Sequence, residues 1–143
     1  IVTDSGVVVG HHDGLMFYTV GQRQGLGIGG LKNYSDAPWF VADKSIETNE
    51  LVVVQGVDHP KLFATGLLAR QINWIGEPPK LPGRFTAKVR YRAPDTSCTI
   101  DMQGTDLQIL FDRPERAVTA GQSVVIYDGE VCLGGAVIEE PLV

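Results

Sequence analysis

The sequence predicts a mainly β protein that ends in a small, closed antiparallel β-barrel of the six-stranded type, and two observations support this fold class. Proline and glycine together account for 25 of the 143 residues and fall between short apolar runs, which favours many turns over long helices. After residue 65, five or six such runs follow one another, and closing short strands into a barrel removes their exposed edges. We therefore expect two regions, residues 1–64 and 65–143, with the barrel in the second.

The first region contains four short apolar runs, which predict four strands. They cover residues 7–9, 15–20, 39–42 and 51–55. The last two flank a polar stretch in the way that two hairpin strands flank a loop. Pro60 should end this region, because proline biases the residue before it away from a helix.

The second region shows a strand pattern almost throughout. Residues 67–74 are compatible with a strand or a short helix. From residue 84 to residue 92, apolar and polar side chains alternate; since successive strand residues face opposite sides, one face is apolar and the other basic. Further strands are predicted at residues 98–102, 107–111, 123–127 and 130–138. The pair Asp128-Gly129 between the last two is a strong hairpin signal.

The stretch "GQRQGLGIGG", residues 21–30, contains five glycines after an apolar run and raises the question of a phosphate-binding loop. Such a loop needs a helix directly after the glycines, to receive the phosphate at its N-terminus. The residues that follow show no amphipathic repeat and lead to Pro38, and the G-K-[ST] sequence of a Walker loop is missing. The sequence therefore favours glycines that serve a positive φ or a close backbone approach.

No residue pattern predicts a catalytic or metal centre in this chain. His11 and His12 are neighbours, which would point to opposite faces of a strand, and His59 precedes a proline in a turn. No nucleophile elbow and no carboxylate dyad is recognisable. Cys98 and Cys132 match neither a zinc site nor a C-x-x-C motif and are interpreted as small hydrophobic residues.

The distribution of charge is the most informative local feature. The net charge is −5, yet residues 65–92 carry six basic side chains and one acidic one. Lys88, Arg90 and Arg92 share one face of a predicted strand at about 6.6–7 Å spacing, which suits successive phosphates of a nucleic acid. Tyr91 could stack on a base, although it faces the other side. The alternative interpretation is a solvated strand face.

The chain contains no apolar run near the roughly 18 residues that span a bilayer, and its start lacks the order of a signal peptide. We expect a cytoplasmic protein without a membrane partner. The first residue is Ile1 rather than Met, which is typical of a fragment or a processed chain.

Five segments together resemble one protein family. They are "GLMFYTVGQRQGLGIGG", "PWFVADK", "QGVDHPKLF", "KVRYR" and "FDRPERAVTAGQSVVIYDGEVCLGG". In this order and spacing they resemble the C-terminal part of the tRNA-specific 2-thiouridylases, and the resemblance covers essentially the whole chain.

The resemblance implies an enzymatic activity whose catalytic part this sequence does not contain. Members of the family use ATP to activate the wobble uridine of tRNA and replace its oxygen with sulfur from a persulfide relay. Their ATP loop, S-G-G-V-D-S-S, and their catalytic cysteine pair have no counterpart in this sequence. Residues 1–64 match the end of the central domain and residues 65–143 the C-terminal barrel. We therefore expect no cofactor here, ATP with Mg in the missing domain, and tRNA and a sulfur-donor relay protein as partners of the parent enzyme.

The resemblance also implies which residues contact tRNA. Arg90 and Tyr91 match the family's Arg-Tyr pair, and Gln122 matches a further contact. Lys88, Arg92 and Arg23 are weaker candidates of the same type.

Two positions depart from the family's pattern, and one other function stays open. Gln24 stands where lysine is common, which removes a phosphate partner, and Ala120 replaces a proline, which loosens the loop before Gln122. The alternative function is a translation-factor-like barrel whose basic strand binds an acidic protein.

Overall fold

A computed structural model describes residues 1–90 and 94–143 and divides the chain into two compact units, Ile1–Leu62 and Phe63–Val143. Each unit has its own apolar core. Tyr91 and Arg92, both predicted to contact nucleic acid, lie outside the described residues. In the described part of the chain, no helix is long and apolar enough to cross a membrane.

The first unit is built on a three-stranded sheet of order β1-β3-β2. Its strands are β1 (Val2–Thr3), β2 (Trp39–Ser45) and β3 (Glu50–Gln55). β2 and β3 are antiparallel, which confirms the predicted hairpin, and β1 runs parallel to β3. One face of this sheet is covered by apolar side chains from the loops, and the buried cluster comprises Ile1, Tyr18, Leu26, Val41, Leu51 and Val53.

Two of the strands predicted in the first unit are wrong. Within residues 7–9 only Val8 forms a bridge, to Val2, and no strand follows from it. Residues 15–20 begin with a 3-10 turn at Leu15–Phe17, after Gly14 at φ 132. Met16 and Phe17 are 84% and 67% exposed, so two successive side chains face solvent, where a half-buried strand would turn one of them toward the core. A second 3-10 turn, Pro60–Leu62, follows the predicted break and ends the unit.

The second unit is a closed barrel of six antiparallel strands, which confirms the predicted architecture. Its strands are β4 (Phe63–Trp74), β5 (Gly83–Lys88), β6 (Thr96–Gln103), β7 (Asp106–Arg116), β8 (Ser123–Asp128) and β9 (Val131–Leu142). They are hydrogen-bonded in the order β4-β7-β6-β5-β8-β9, and β9 closes on β4. The stretch 67–74, which the sequence left open between strand and helix, is therefore a strand.

The alternation that begins at Arg84 separates core from surface as predicted. Ala87 and Val89 are 1% and 3% exposed inside the barrel, whereas Arg84 lies outside, with 60% of its side chain exposed. The hairpin at Asp128-Gly129 is confirmed, and Gly129 adopts φ 59, a conformation that glycine reaches without strain.

Strands β4 and β7 approach each other closely at Gly66. A Cβ atom there would lie 2.5 Å from the carbonyl oxygen of Ile109 and 2.9 Å from Leu110 Cδ2. The pairing of the two strands shifts its register between Ala64 and Gly66. Glycine at this position therefore allows the seam between β4 and β7 to close.

We expect Gly66→Ala to lower the free energy of unfolding of the barrel by about 1–3 kcal/mol, because the added methyl group must push a backbone carbonyl away. Urea unfolding followed by tryptophan fluorescence, which includes Trp74 of β4, measures the change. Thr65→Ser, on the exposed neighbouring residue, is the matched control and should change stability by less than about 0.5 kcal/mol. Equal stability of the two variants would contradict the steric role of Gly66.

Candidate nucleic-acid interface

The candidate residues of the barrel meet at one of its ends. Lys88, the last residue of β5, pairs with Val125 of the antiparallel strand β8. The end of β5 and the start of β8, which Gln122 precedes, therefore lie at the same end of the barrel. The neighbouring pair of Ala87 and Thr96 brings the start of β6 there as well. We call this group of side chains the polar rim: Lys88, Arg90, Asp95, Thr96, Glu115 and Gln122.

The basic side chains of the polar rim have acidic partners. Arg90 Nη2 lies 3.8 Å from Glu115 Oε1, and the other oxygen of Glu115 accepts a 2.9 Å hydrogen bond from Thr96 Oγ1. Lys88 Nζ lies 3.6 Å from Asp95 Oδ1 and 5.8 Å from the centre of the Tyr127 ring. The basic face is thus largely neutralised within the protein, and a phosphate would have to replace a carboxylate partner.

The sequence alone did not indicate these acidic partners. Asp95 follows the predicted strand by a few residues, so a hairpin turn could have suggested its contact with Lys88. Glu115 is 25 residues away from Arg90, and only the pairing order of the barrel strands brings β7 into reach.

Exchange of these partners costs little free energy. The Lys88 and Arg90 side chains are 34% and 41% exposed, so water screens the basic group of each pair, and Glu115, 15% exposed, keeps its hydrogen bond from Thr96 when Arg90 leaves. Exposed ion pairs contribute about 0.2–1 kcal/mol each, and both distances are longer than a direct hydrogen bond. The polar rim can therefore open its ion pairs toward an external anion.

Arg84 forms a tighter pair farther along the same face. Its guanidinium donates two hydrogen bonds to the carboxylate of Asp112, at 2.6 and 2.5 Å, and a third to Thr99 Oγ1 at 3.1 Å. The hydrogen bond from Arg84 and its charge hold the pKa of Asp112 below the ordinary value of an aspartate. Arg84 is consequently committed to a partner on the outer face of the barrel itself, whereas Arg90 is paired more loosely.

Gln122 is held by its backbone, which leaves its side chain available. Its N–H donates to Thr119 O at 3.3 Å, and its carbonyl accepts from the Ile138 N–H at 2.8 Å. Gly121, at φ 88, donates to Ile138 O at 2.8 Å. The half-buried side-chain amide of Gln122 has no hydrogen-bond partner among the residues that the structure describes.

The remaining candidates do not belong to this cluster as the structure describes it. Arg23 is an exposed residue of the first unit, next to the glycine-rich stretch. In that stretch Gly21, Gly25, Gly27 and Gly30 adopt φ values between 62 and 90, which confirms the predicted positive φ. No group of three or more metal-ligand side chains occurs within residues 1–90 and 94–143.

Comparison with known proteins identifies the family. Residues 64–138 match the family model described as the aminomethyltransferase beta-barrel domain, and residues 1–55 match that of the tRNA methyl transferase PRC-barrel domain. The tRNA-specific 2-thiouridylases of Hahella chejuensis and Alcanivorax borkumensis are each 58% identical to this chain, over 97% and 98% of its length. This chain belongs to the tRNA-specific 2-thiouridylase family. The resemblance carried by the five sequence segments is thereby confirmed.

The chain spans only part of the length of these relatives. It covers 38% of the length of the Hahella chejuensis protein and 39% of that from Alcanivorax borkumensis. The protein from Pseudomonas fluorescens, 57% identical over 141 residues, is covered to 37%.

The two thiols of this chain should differ in reactivity. Cys98 is fully buried, and burial raises its pKa to about 11, whereas Cys132 is half-buried. Since the thiolate is the reactive form, we expect a disulfide reagent such as DTNB to modify Cys132 and spare Cys98 in the native protein at pH 8. Mass spectrometry of the labelled peptides measures this, and the urea-unfolded protein, in which both react, is the control. Equal labelling rates in the native protein would contradict the burial of Cys98.

The pKa of Asp112 should depend on the hydrogen bonds from Arg84 rather than on net charge alone. Because the pKa is lowered in the folded state, the pair stabilises the fold at neutral pH, and its contribution is lost as the pH falls through that pKa. We expect Arg84→Gln to raise the pKa of Asp112 toward the ordinary value of an aspartate, measured by NMR titration of the carboxyl carbon. Arg113→Gln, which removes the same charge next to Asp112 in sequence, should leave it nearly unchanged. A similar shift in both variants would refute the specific pairing.

Proposed function

We propose that this chain is the tRNA-binding part of a tRNA 2-thiouridylase, the enzyme that makes 2-thiouridine at the wobble position of tRNA. In the whole protein, ATP with Mg would act in a part outside this chain, and a sulfur-donor relay protein would deliver the sulfur in the cytoplasm. The chain by itself binds tRNA and transfers no sulfur. The identity to relatives that are tRNA-specific 2-thiouridylases supports this proposal, together with the share of their length that the chain covers.

The polar rim is the proposed tRNA contact, and one observation carries the assignment. The loosely paired Arg90 guanidinium and the free side-chain amide of Gln122 belong to the same end of the barrel. A guanidinium binds phosphate, and an amide can both donate to and accept from a ribose hydroxyl or a base edge. Tyr91 and Arg92 follow Arg90 directly in the chain and remain proposed tRNA contacts, although they lie outside the described residues.

Lys88 is a weaker contact than Arg90 in this proposal. Its ammonium group lies between Asp95 and the ring of Tyr127, and 34% of the side chain is exposed. A phosphate would have to draw it away from both partners.

Glu115 acts as an internal competitor of the phosphate. Its carboxylate is only 15% exposed and is fixed by Thr96, so it stays in place when tRNA arrives. The affinity for tRNA then reflects the difference between two interaction free energies of Arg90, that with the carboxylate of Glu115 and that with a phosphate of the tRNA. In a chain of net charge −5, such local pairs decide where a polyanion can bind.

Arg90→Ala and Glu115→Gln should therefore shift tRNA affinity in opposite directions. Arg90→Ala removes a phosphate contact and should lower the slope of log K against log salt by about 0.7–0.9. Glu115→Gln removes the competing charge but keeps a hydrogen-bonding side chain, so tRNA should bind more tightly. Fluorescence anisotropy with labelled tRNA at several salt concentrations measures both.

The control is Lys80→Ala, which removes the same charge ahead of β5, at the opposite end of the barrel from the polar rim. It should leave the salt slope unchanged. If Arg90→Ala and Lys80→Ala behave alike, Arg90 is not a tRNA contact. If the wild-type chain does not bind tRNA at all, the proposed function fails, and competition experiments with acidic protein partners become the next test of the basic strand.

A further inference from the structure

The first unit contains a cleft of about 390 Å³ that the proposed tRNA contact of the barrel does not use. One wall is the glycine-rich segment, residues 25–31, with Arg23 beside it, and the other wall consists of residues 34–39. The aromatic rings of Tyr34 and Trp39 line it and meet edge to face, 5.2 Å between ring centres.

The glycine-rich segment is anchored on one side and open on the other. Leu26 is 6% exposed and belongs to the core of the unit, and Ile28 packs against the same core. The glycines between and after them are exposed. Gly25 and Gly27 have positive φ, at 78 and 66, on either side of Leu26, which does not. Such alternation of backbone handedness turns successive N–H groups toward one side, where they form an anion-binding concavity.

The N–H groups of this segment are available for a ligand. Those of residues 27–31 donate no hydrogen bond to any part of the chain that the structure describes. Arg23 is exposed, and within the described ranges it has no ion-pair partner. Asp36 is the single acidic residue among those that line the cleft. Backbone dipoles and one guanidinium therefore give this wall a positive potential.

Gly29 is a glycine that the fold itself does not require. Its φ lies outside the range that favours glycine, and a Cβ atom there would meet nothing within 4 Å. Gly27 and Gly30 also face open space, but their positive φ explains them. The absence of a side chain at Gly29 keeps the wall of the cleft accessible, as is needed where a backbone approaches a ligand closely.

We propose that this cleft binds a phosphate group of an RNA backbone, which accepts hydrogen bonds from the N–H groups of residues 27–31 and pairs with Arg23. An adjacent base stacks against the aromatic wall formed by Tyr34 and Trp39. The choice of RNA rests on the proposed function, whereas the anion-binding geometry does not. A phosphate could also come from a free nucleotide, so the experiment separates the two sources.

The first experiment identifies the ligand. The 15N-labelled 143-residue chain is titrated with inorganic phosphate, with ATP and with a short single-stranded uridine oligonucleotide. We expect the amide signals of residues 27–31 to shift with all three, and most tightly with the oligonucleotide. Tighter saturable binding of ATP would make the cleft a nucleotide site and overturn the RNA assignment. No shift with any probe would overturn the anion site itself.

The second experiment measures tRNA binding by two cleft variants. Arg23→Gln should lower the salt slope by about 0.7, because one contact to a single strand is lost. Gly29→Ala removes no charge, so a lower slope there reports the loss of the phosphate contact itself. Lys32→Gln is the matched control, since Lys32 is exposed next to the segment but does not line the cleft.

Three results separate this inference from the proposed function. If Arg23→Gln and Gly29→Ala bind like the wild-type chain while Arg90→Ala is weakened, the cleft is not a tRNA contact and the proposed function stands. If only the cleft variants are weakened, the polar rim is the wrong surface. The thermal unfolding midpoint of Gly29→Ala should not fall; if it does, Arg23→Gln alone decides the test.

Discussion

Closure of the barrel by β4 is the constraint on which the candidate interface depends. β4 pairs with β7 on one side and with β9 on the other, so six strands form a ring without a free edge. This ring fixes the neighbours of every strand. It brings the end of β5 beside the start of β8 and carries Glu115 of β7 into reach of Arg90. The close approach at Gly66 is part of the same seam.

Charge compensation gives the outer face of the barrel its chemical character. Arg84 forms two hydrogen bonds to the carboxylate of Asp112. The ion pairs of Lys88 with Asp95 and of Arg90 with Glu115 are longer, at 3.6 and 3.8 Å between nitrogen and oxygen. A basic strand without carboxylate partners would attract any polyanion. The long ion pairs of Lys88 and Arg90 contribute less to stability than the hydrogen-bonded pair of Arg84. Lys88 and Arg90 can therefore exchange a carboxylate for a phosphate more easily than Arg84 can.

The glycine-rich segment shows how one stretch of sequence can serve packing and binding together. Leu26 and Ile28 hold it to the core, and the glycines between them leave its backbone bare. A helix after the segment is not needed for this, since alternation of φ alone can direct several N–H groups to one side. The segment lacks the helix of a dinucleotide-binding loop, but its backbone can still bind an anion.

The sequence by itself determined the β class, the hairpin of residues 39–55, most strands of the barrel and its inward face, because alternation and turn residues are local signals. It failed at residues 7–9 and 15–20, where single side chains such as Val9 and Tyr18 pack against the core but the backbone forms no strand. Of the candidate site, Lys88 and Arg90 were visible from their spacing. Only the tertiary structure decided that Glu115 opposes Arg90 and that Gln122 belongs to the same rim. These contacts depend on strand order, which no local pattern encodes.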